Sequence, residues 1–340
     1  MNRAPWGQAS WGGIRCEEHK VNPQLVRLLI GRVGLSLVTL LAVSAVVFAA
    51  TLFLPGDPAR AALGPRADPT AVQSLRREFG LDRPAVSQYA SWISGVVVGN
   101  FGKSIPSGHP VLEMIRSKVK NTAFLTIASL ALLIPLSFVL GIVAAIYKDR
   151  APDLLISVPT IVAVALPEFV IGTILIILFA VLINALPPVS LLDGDETLFS
   201  QANLFVLPIL TLLATTLAQV VRMVRAVTIE VLSAEYIYMA ELRGLSRTRI
   251  ILFHVFPNVV SPSIQTVALN AAWLAGGVVV TEAVFQLPGI GSALAGAVTN
   301  RDTPTVLAIT MIITATYVLI NLISETLILL LNPKLRVKNA

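Results

Sequence analysis

The chain has 340 residues, of which 55% are hydrophobic and 13% are charged. Ordinary soluble domains carry about 25% charged residues, so this composition is typical of a protein that lies mostly in a lipid bilayer. The net charge of +6 then indicates basic flanks of membrane spans rather than a nucleic-acid partner. The single cysteine, Cys16, excludes an intrachain disulfide and a metal cluster with several cysteines. The histidines His19, His109 and His254 share no helical or hairpin spacing, so a histidine-based metal site is not expected.

Six apolar segments are long enough to cross a bilayer as helices, which takes about 20 residues each. We therefore predict an all-α, polytopic membrane protein with six transmembrane helices. The third segment contains Pro159 and Pro167 and exceeds a simple crossing, so we predict one kinked helix whose first turns lie at the interface. A cleaved signal peptide is the alternative for the first segment, but the apolar core of such peptides has only about 7 to 15 residues. The predicted segments are Val33–Leu54, Asn121–Ile146, Leu154–Leu186, Asn203–Val221, Val259–Thr281 and Pro304–Leu331.

Basic residues predict the side of the membrane on which each loop lies, because cytoplasmic loops carry an excess of Lys and Arg. With the N-terminus inside, both tails and the loops after the second and fourth spans are basic, whereas the short outside loops contain only Arg301. The long loop after the first span is also basic, but long loops have little weight in this rule. We therefore predict that both termini are cytoplasmic. The predicted division is a cytoplasmic tail at 1–32, a first transmembrane helix at 33–54, a long extracytoplasmic loop at 55–120, a core of the other five helices at 121–332 with a cytoplasmic loop at 226–258, and a cytoplasmic tail at 333–340.

One stretch of the outside loop, VVVGNFGKS at 96–104, partly matches a nucleotide-binding loop. Such a loop needs G-x-x-x-x-G-K-[ST] followed by a helix, since its glycines let backbone N–H groups turn toward the phosphates. Val97 stands where the first glycine is required, and a turn-forming run with Pro106 and Gly108 follows Ser104. The chain is therefore not expected to bind a nucleoside triphosphate itself.

The longest predicted cytoplasmic segment between two spans runs from Arg225 to Asn258. Tyr238, Leu242 and Leu245 recur at helical spacing and make one apolar stripe. Gly244 can end this helix in the left-handed conformation, which other residues adopt only at a cost. A short amphipathic helix of this kind either docks in a groove of another protein or lies on lipid headgroups.

The same segment has the pattern EY-x-x-x-A-x-x-x-GLS from Glu235 to Ser246. This pattern resembles the EAA loop of ABC-transporter permease subunits, in the form found in dipeptide and oligopeptide permeases. Against the general EAA motif, only Ala240, Gly244 and Pro257 match. Other stretches resemble the same branch, in the same order along the chain. They are LPGDPARAALG at 54–64, FGLDRP at 79–84, GNFGKS at 99–104, TEAVFQLPGIG at 281–291, RDTP at 301–304 and LNPKLR at 331–336.

The resemblance implies a permease subunit of an ATP-driven, binding-protein-dependent importer that carries dipeptides or oligopeptides across the cytoplasmic (inner) membrane of a prokaryote. The implied partners are a second homologous permease subunit, two ATP-binding subunits and an extracytoplasmic substrate-binding protein. The chain itself would be non-catalytic and would hold no cofactor, because the partner ATPase subunits would bind ATP and Mg²⁺. The implied ATPase-coupling residues, all within 235–258, are Glu235, Tyr236, Ala240, Arg243, Gly244, Leu245, Ser246 and Pro257.

Polar residues inside the spans are candidates for a translocation path. The fifth span carries Gln265 and Asn270 among several small polar residues, which either line a wet path or bond neighbouring helices. Glu168, beside Pro167, is the one ionisable residue that we place well inside a span. It contacts either a substrate amino group or a partner subunit, or it forms a structural salt bridge. Glu325 lies near the cytoplasmic end of the last span and is expected to reach the interface.

Two other classes of function fit a polytopic protein. A proton-coupled secondary transporter often shows internal repeats and several buried ionisable groups, whereas this sequence has no matching halves and, by our assignment, only Glu168. A membrane-embedded enzyme would need a catalytic motif, and the sequence has no HExxH motif, no Ser-His-acid arrangement within spans and no paired carboxylates. The importer subunit is therefore our leading interpretation, with the secondary transporter as the alternative.

Overall fold

The computed structural model describes residues 23–53, 56–193 and 197–331, and the regular structure in these ranges is helical. The one β-type pairing among these residues is an isolated antiparallel bridge between Lys103 and Pro110. Most of the predicted N-terminal tail, with Cys16 and His19, and the predicted tail at 333–340 lie outside the described residues. The helices are α1 (Pro23–Phe53), α2 (Pro58–Leu63), α3 (Pro69–Glu78), α4 (Ala85–Val97), α5 (Val111–Ile146), α6 (Ala151–Ala165), α7 (Glu168–Leu175, continuing as a π-helix over Ile176–Leu182), α8 (Ala202–Leu232), α9 (Glu235–Leu242), α10 (Arg247–Ile250, continuing as a π-helix over Ile251–Val255), α11 (Phe256–Gly277), α12 (Val279–Val284), α13 (Ile290–Thr299) and α14 (Thr303–Leu331).

Within the described ranges, five helical segments are long and apolar enough to cross a membrane, and one bent helix pair is a sixth candidate. Large apolar side chains such as Leu35, Val38 and Val46 are exposed along α1, as expected where lipid rather than water covers a helix. The composition-based prediction of an all-helical, multi-span membrane protein is therefore confirmed. The five segments are Ile30–Phe53, Val111–Ile146, Ala202–Leu232, Arg247–Gly276 and Thr303–Ile328.

The third predicted span differs from the expectation of one kinked helix. It consists of α6 and α7, which are bent by 115° relative to each other. Pro167 explains the break, because proline disfavours helical geometry in the residue before it, and Leu166 has an extended backbone with ψ of 135°. Pro159, in contrast, lies inside α6 without ending it. The break places Glu168 at the first position of α7.

Three helices extend well beyond the predicted spans. α1 begins at Pro23 rather than at Val33, α5 begins at Val111 rather than at Asn121, and α8 ends at Leu232 rather than at Val221. Hydropathy finds only the apolar part of a helix, so the charged first turns of α5 resemble a loop in sequence. The fifth predicted span also divides differently, since α11 ends at Gly277 and a separate α12 follows.

The core of the membrane part lies between α5 and α8, and α11 packs on α8 and α14. Buried leucines such as Leu125 and Leu212 fill the contact between α5 and α8. Gly141 permits close approach of the two helices, because a Cβ atom there would lie 2.6 Å from a methyl carbon of Val224. This packing fixes the end of α8, from which α9 continues.

The long loop after α1 contains three short helices, α2 to α4. Asp57 and Asp68 begin the first two, since each carboxylate accepts a backbone N–H of the first turn and a proline follows each. The hydroxyl and the backbone N–H of Thr70 lower the pKa of Asp68. The hydroxyls of Tyr89 on α4 and Ser44 on α1 lie 2.8 Å apart in a hydrogen bond, which ties the loop to the first membrane helix.

The stretch at 96–104 covers the end of α4 and a turn. No helix follows Ser104 until Val111, unlike the arrangement in a phosphate-binding loop. The backbone N–H of Ile105 donates to Asp302 Oδ1 at 3.0 Å, so this turn is fixed to the start of α14.

Candidate functional site

The α9–α10 segment (residues 235–258) folds into two helical pieces joined by a turn at Gly244. Gly244 has φ of +74°, the left-handed conformation that the sequence predicts for it. Its N–H donates to the Glu241 carbonyl at 2.9 Å, and the Leu245 N–H donates to the Ala240 carbonyl at 3.3 Å. These bonds satisfy carbonyls at the end of α9 and set the direction of the chain toward α10.

The two faces of α9 differ in burial. Ile237 and Ala240 are 2% and 5% exposed and belong to the core formed by α5 and α8. Tyr238, Met239 and Leu242 are 62%, 54% and 65% exposed on the other side; we name these three residues the exposed face of α9. The small side chain of Ala240 thus lets α9 approach its own chain, while the exposed face remains available for another molecule.

The predicted polar residues of α9 lie beside the exposed face. Glu235, Tyr236 and Arg243 are exposed, and their side chains make no hydrogen bond or ion pair with the residues that the structure places. Desolvation raises the pKa of the Tyr236 phenol above its ordinary value.

Three further predicted residues belong to the turn and the second piece. Leu245 is half-buried and packs against the core, whereas Ser246 is exposed and directly precedes α10. Pro257 is exposed in the first turn of α11, directly after the π-helix Ile251–Val255.

The part of α8 that leads toward the α9–α10 segment is tied to α6 by an ion pair that sequence analysis missed. Arg225 on α8 donates from Nε and Nη2 to the two carboxylate oxygens of Asp153, at 2.7 and 2.6 Å. Asp153 is 3% exposed and also accepts the Ser157 hydroxyl and the Asp149 N–H, each at 2.9 Å. A bidentate pair of this kind holds two helices in one orientation. No local pattern indicates it, because the partners are 72 positions apart.

A second ion pair links the two ends of the described chain. Arg32 on α1 pairs with Glu325 on α14, and both side chains are partly exposed. The pair places the beginning of the first long helix and the end of the last one on the same side of the molecule.

A cavity of about 390 Å³ lies at the α6–α7 break. It brings together two of the three predicted path residues, Glu168 and Asn270. Gln265 does not line this cavity and is exposed on α11. A separation of five positions turns a side chain by about 140° around a helix, so Gln265 and Asn270 lie on different faces. The cavity is lined by Leu166, Glu168, Thr215, Thr216, Gln219, Leu269, Asn270 and Trp273.

A second enclosed carboxylate, Glu282 on α12, is 0% exposed. Its Oε1 accepts the Thr122 hydroxyl at 2.5 Å and its Oε2 accepts the Ser292 N–H at 2.9 Å. The Ile290 N–H donates to the same Thr122 hydroxyl at 2.9 Å, so the cluster fixes the start of α13 against α5. A side chain at Gly289 would collide with Glu282, which explains a glycine there.

Sequence analysis placed only one ionisable residue, Glu168, well inside a span. The structure shows that Glu282 is also buried among the membrane helices. The predicted fifth span ended at Thr281, one residue before Glu282, so this acid was assigned to a loop. An acidic residue in an otherwise apolar run before LPGIG was the signal available in the sequence. In the described ranges, no group of three or more His, Cys, Asp or Glu residues is arranged to hold a metal ion.

Two adjoining regions of the chain match known protein families. Residues 25–126 match the family described as the N-terminal part of the binding-protein-dependent transport system membrane component. Residues 137–337 match the family described as the binding-protein-dependent transport system inner membrane component. The chain belongs to this family of permeases. The second match contains both the α9–α10 segment and all residues of the cavity.

Relatives of known name support the same assignment. The glutathione transport system permease protein GsiC of Escherichia coli and that of Shigella dysenteriae are each 35% identical to this chain over 300 residues. In both cases the match covers 88% of this chain and 95% of the relative. This permease is therefore a multi-pass inner-membrane subunit of a binding-protein-dependent ABC importer, which confirms the family resemblance and the localisation.

Proposed function

We propose that this permease forms one half of the translocation pathway of an ATP-driven importer for dipeptides or oligopeptides. The second half is a homologous permease, two ATP-binding subunits dock on the cytoplasmic side, and a binding protein delivers substrate from outside. Family membership supports this arrangement. The relatives are named for glutathione transport, and glutathione is a small peptide, which supports substrates of the peptide class. The chain is non-catalytic in this proposal, and ATP and Mg²⁺ are bound by the partner ATPases.

The observation that carries the proposal is the exposed face of α9. Apolar side chains on a short, projecting helix are typical of an element that inserts into a groove of a partner. Glu235 and Arg243 flank this face without partners of their own among the described residues, so they are free to bond an ATPase subunit. Gly244 sets the turn, and the buried residues Ile237 and Ala240 hold the helix on its own chain.

The proposed topology has six transmembrane helices with both termini in the cytoplasm. The bent pair α6 and α7 then counts as one span, which gives the even number required. The ion pair between Arg32 and Glu325 supports an arrangement in which the first and last helices meet on one side. Arg243, Arg247 and Arg249 in the α9–α10 segment fit the cytoplasmic side as well.

The proposed route of coupling runs from α9 to the cavity. A movement of α9 shifts the end of α8, and the pair between Arg225 and Asp153 passes this shift to the beginning of α6. α6 ends at the break beside Glu168, so its movement changes the shape of the cavity. Glu168 and Asn270 line the translocation path in this proposal, while Gln265 faces the second permease.

Affinity purification of the tagged chain from native membranes in mild detergent tests the proposal. We expect a second permease and ATP-binding subunits to co-purify with the wild type. Leu242→Asp places a charge on the exposed face of α9 and should keep the second permease but lose the ATPases. Val86→Asp, at a position that is 80% exposed in the outside loop, is the matched control and should keep both. A wild-type chain that purifies alone would contradict the proposal.

A further inference from the structure

We infer that the cavity at the α6–α7 break binds a primary ammonium group, so that the translocated substrates carry a free amine. This inference rests on the proposed function and gives the chemical class that the path selects. Its basis is the set of polar groups around the cavity, which contains one carboxylate, several hydrogen-bond acceptors and an indole ring but no Lys, Arg or His.

The carboxylate of Glu168 has no cationic partner among the residues that the structure places. Its described hydrogen bond comes from the hydroxyl of Thr281, which is buried on α12. This bond fixes the orientation of the carboxylate and leaves further acceptor capacity on it. An acidic side chain within membrane helices is costly unless a cation or a proton neutralises it. No residue that lines the cavity supplies this positive charge, so a cationic ligand can supply it.

Three of the other polar side chains of the cavity already donate a hydrogen bond and keep acceptor capacity. The hydroxyls of Thr215 and Thr216 donate to the Leu212 carbonyl at 3.0 and 2.7 Å, and Asn270 Nδ2 donates to the Thr266 carbonyl at 2.8 Å. Their oxygen atoms can still accept hydrogen bonds. Gln219, also in the lining, can accept through its amide oxygen or donate through its N–H groups. An ammonium group has three donors and no acceptor, so it is complementary to the acceptors of this wall.

Trp273 adds a second feature that favours a cation. Its side chain is 45% exposed and lines the cavity together with Asn270, which precedes it by one turn of α11. The face of an indole ring attracts Lys-type ammonium groups more strongly than other aromatic rings do. A carboxylate on one side and an indole on another therefore select positive charge from two elements of the chain.

The test is uptake by proteoliposomes that contain the complete transporter with its binding protein. The probes are radiolabelled alanyl-alanine and propionyl-alanine, which differ only in the amino group, each at a concentration that saturates the binding protein. Glu168→Gln should lower the initial uptake of alanyl-alanine by about tenfold or more, the loss expected for one charge-assisted hydrogen bond. The ratio of alanyl-alanine to propionyl-alanine uptake should fall by a similar factor.

Three comparisons separate recognition from a structural role. Glu168→Asp keeps the charge and should restore most of the preference for the amine. Trp273→Phe should retain more of it than Trp273→Leu, because phenylalanine keeps an aromatic face. Glu113→Gln removes an exposed acid from α5, outside the cavity, and should change neither probe.

Several results would overturn the ammonium site. One is a Glu168→Gln transporter that imports both probes at the wild-type rate. Another is a variant that imports both probes more slowly by the same factor, which is the result expected if Glu168 has only a structural role. Loss of the second permease on purification of this variant would show that Glu168 pairs with that subunit instead. If the wild-type transporter imports neither probe with ATP, both the proposed peptide function and the ammonium site are contradicted. The other results contradict the ammonium site alone.

Discussion

The α9–α10 segment and the cavity at the α6–α7 break are built in opposite ways. The first is continuous in sequence, and its helix, turn and exposed face all follow from neighbouring residues. The second takes its walls from α7, α8 and α11, so its residues meet only when these helices pack. In the proposed function, the docking element thus lies on the surface, whereas the translocation path lies between packed helices. The pair between Arg225 and Asp153 joins α8, which ends just before α9, to α6, which ends at the cavity.

The largest effect is expected when this connection is broken. Arg225→Ala leaves the buried Asp153 carboxylate without its cation, which typically costs about 3 to 5 kcal/mol. We expect a lower midpoint of thermal unfolding and, in the assembled transporter, ATP hydrolysis with little peptide uptake. Arg222→Ala removes an exposed arginine one turn earlier on α8 and is the matched control. Equal uptake per ATP in both variants would show that the pair does not transmit movement.

A smaller effect is expected when the Glu282 cluster is disrupted. This prediction compares a buried acid, Glu282, with a partly exposed one, Glu325. Glu282→Gln weakens charge-assisted bonds to Thr122 and Ser292, and we expect a loss of about 1.5 to 3 kcal/mol in stability. Glu325→Gln alters a partly exposed ion pair, which is worth about 0 to 1 kcal/mol. Thermal unfolding of the two variants in the same detergent compares them. A larger shift for the Glu325 variant would contradict this ranking.

An effect smaller than that of Glu282→Gln is expected at the turn of the α9–α10 segment. Gly244→Ala introduces no collision, since nothing lies within 4 Å of the added carbon, but it forces alanine into φ of +74°. The expected cost is about 1 to 2 kcal/mol, visible as weaker retention of the ATPase subunits. Gly296→Ala is the control, because this exposed glycine in α13 has equal space without a positive φ. If the two variants retain the ATPases equally well, the left-handed turn has no role in docking.

The sequence predicted the local parts of this architecture better than the assembled ones. Hydropathy located the membrane helices, and the spacing of Tyr238 and Leu242 with Gly244 after them predicted a short helix and its end. The stripe pattern alone did not predict which face of α9 is buried. That depends on Ile237 and Ala240 meeting residues of α5 and α8, which are distant in sequence.

The errors have physical causes of the same kind. Pro159 and Pro167 indicated one kinked helix, but the break of 115° depends on how α6 and α7 pack on α8. The pair between Asp153 and Arg225 was not predicted, since nothing near either residue indicates its partner. Glu282 was missed because the predicted apolar span ended at Thr281, one residue before this acid. Glu168 and Asn270 were proposed separately, and only the packing of α7 against α8 and α11 shows that they share one cavity.

The central claim is that ATP-binding partners act on this permease through the exposed face of α9. It is tested most directly by peptide uptake in two sets of proteoliposomes, one with the complete transporter and one with this chain alone, each with ATP or with a proton gradient. Our account predicts uptake only with the complete transporter and ATP, and its loss in Leu242→Asp. Accumulation of peptide by the chain alone, driven by the proton gradient without ATPase subunits, would contradict it and establish a secondary transporter instead.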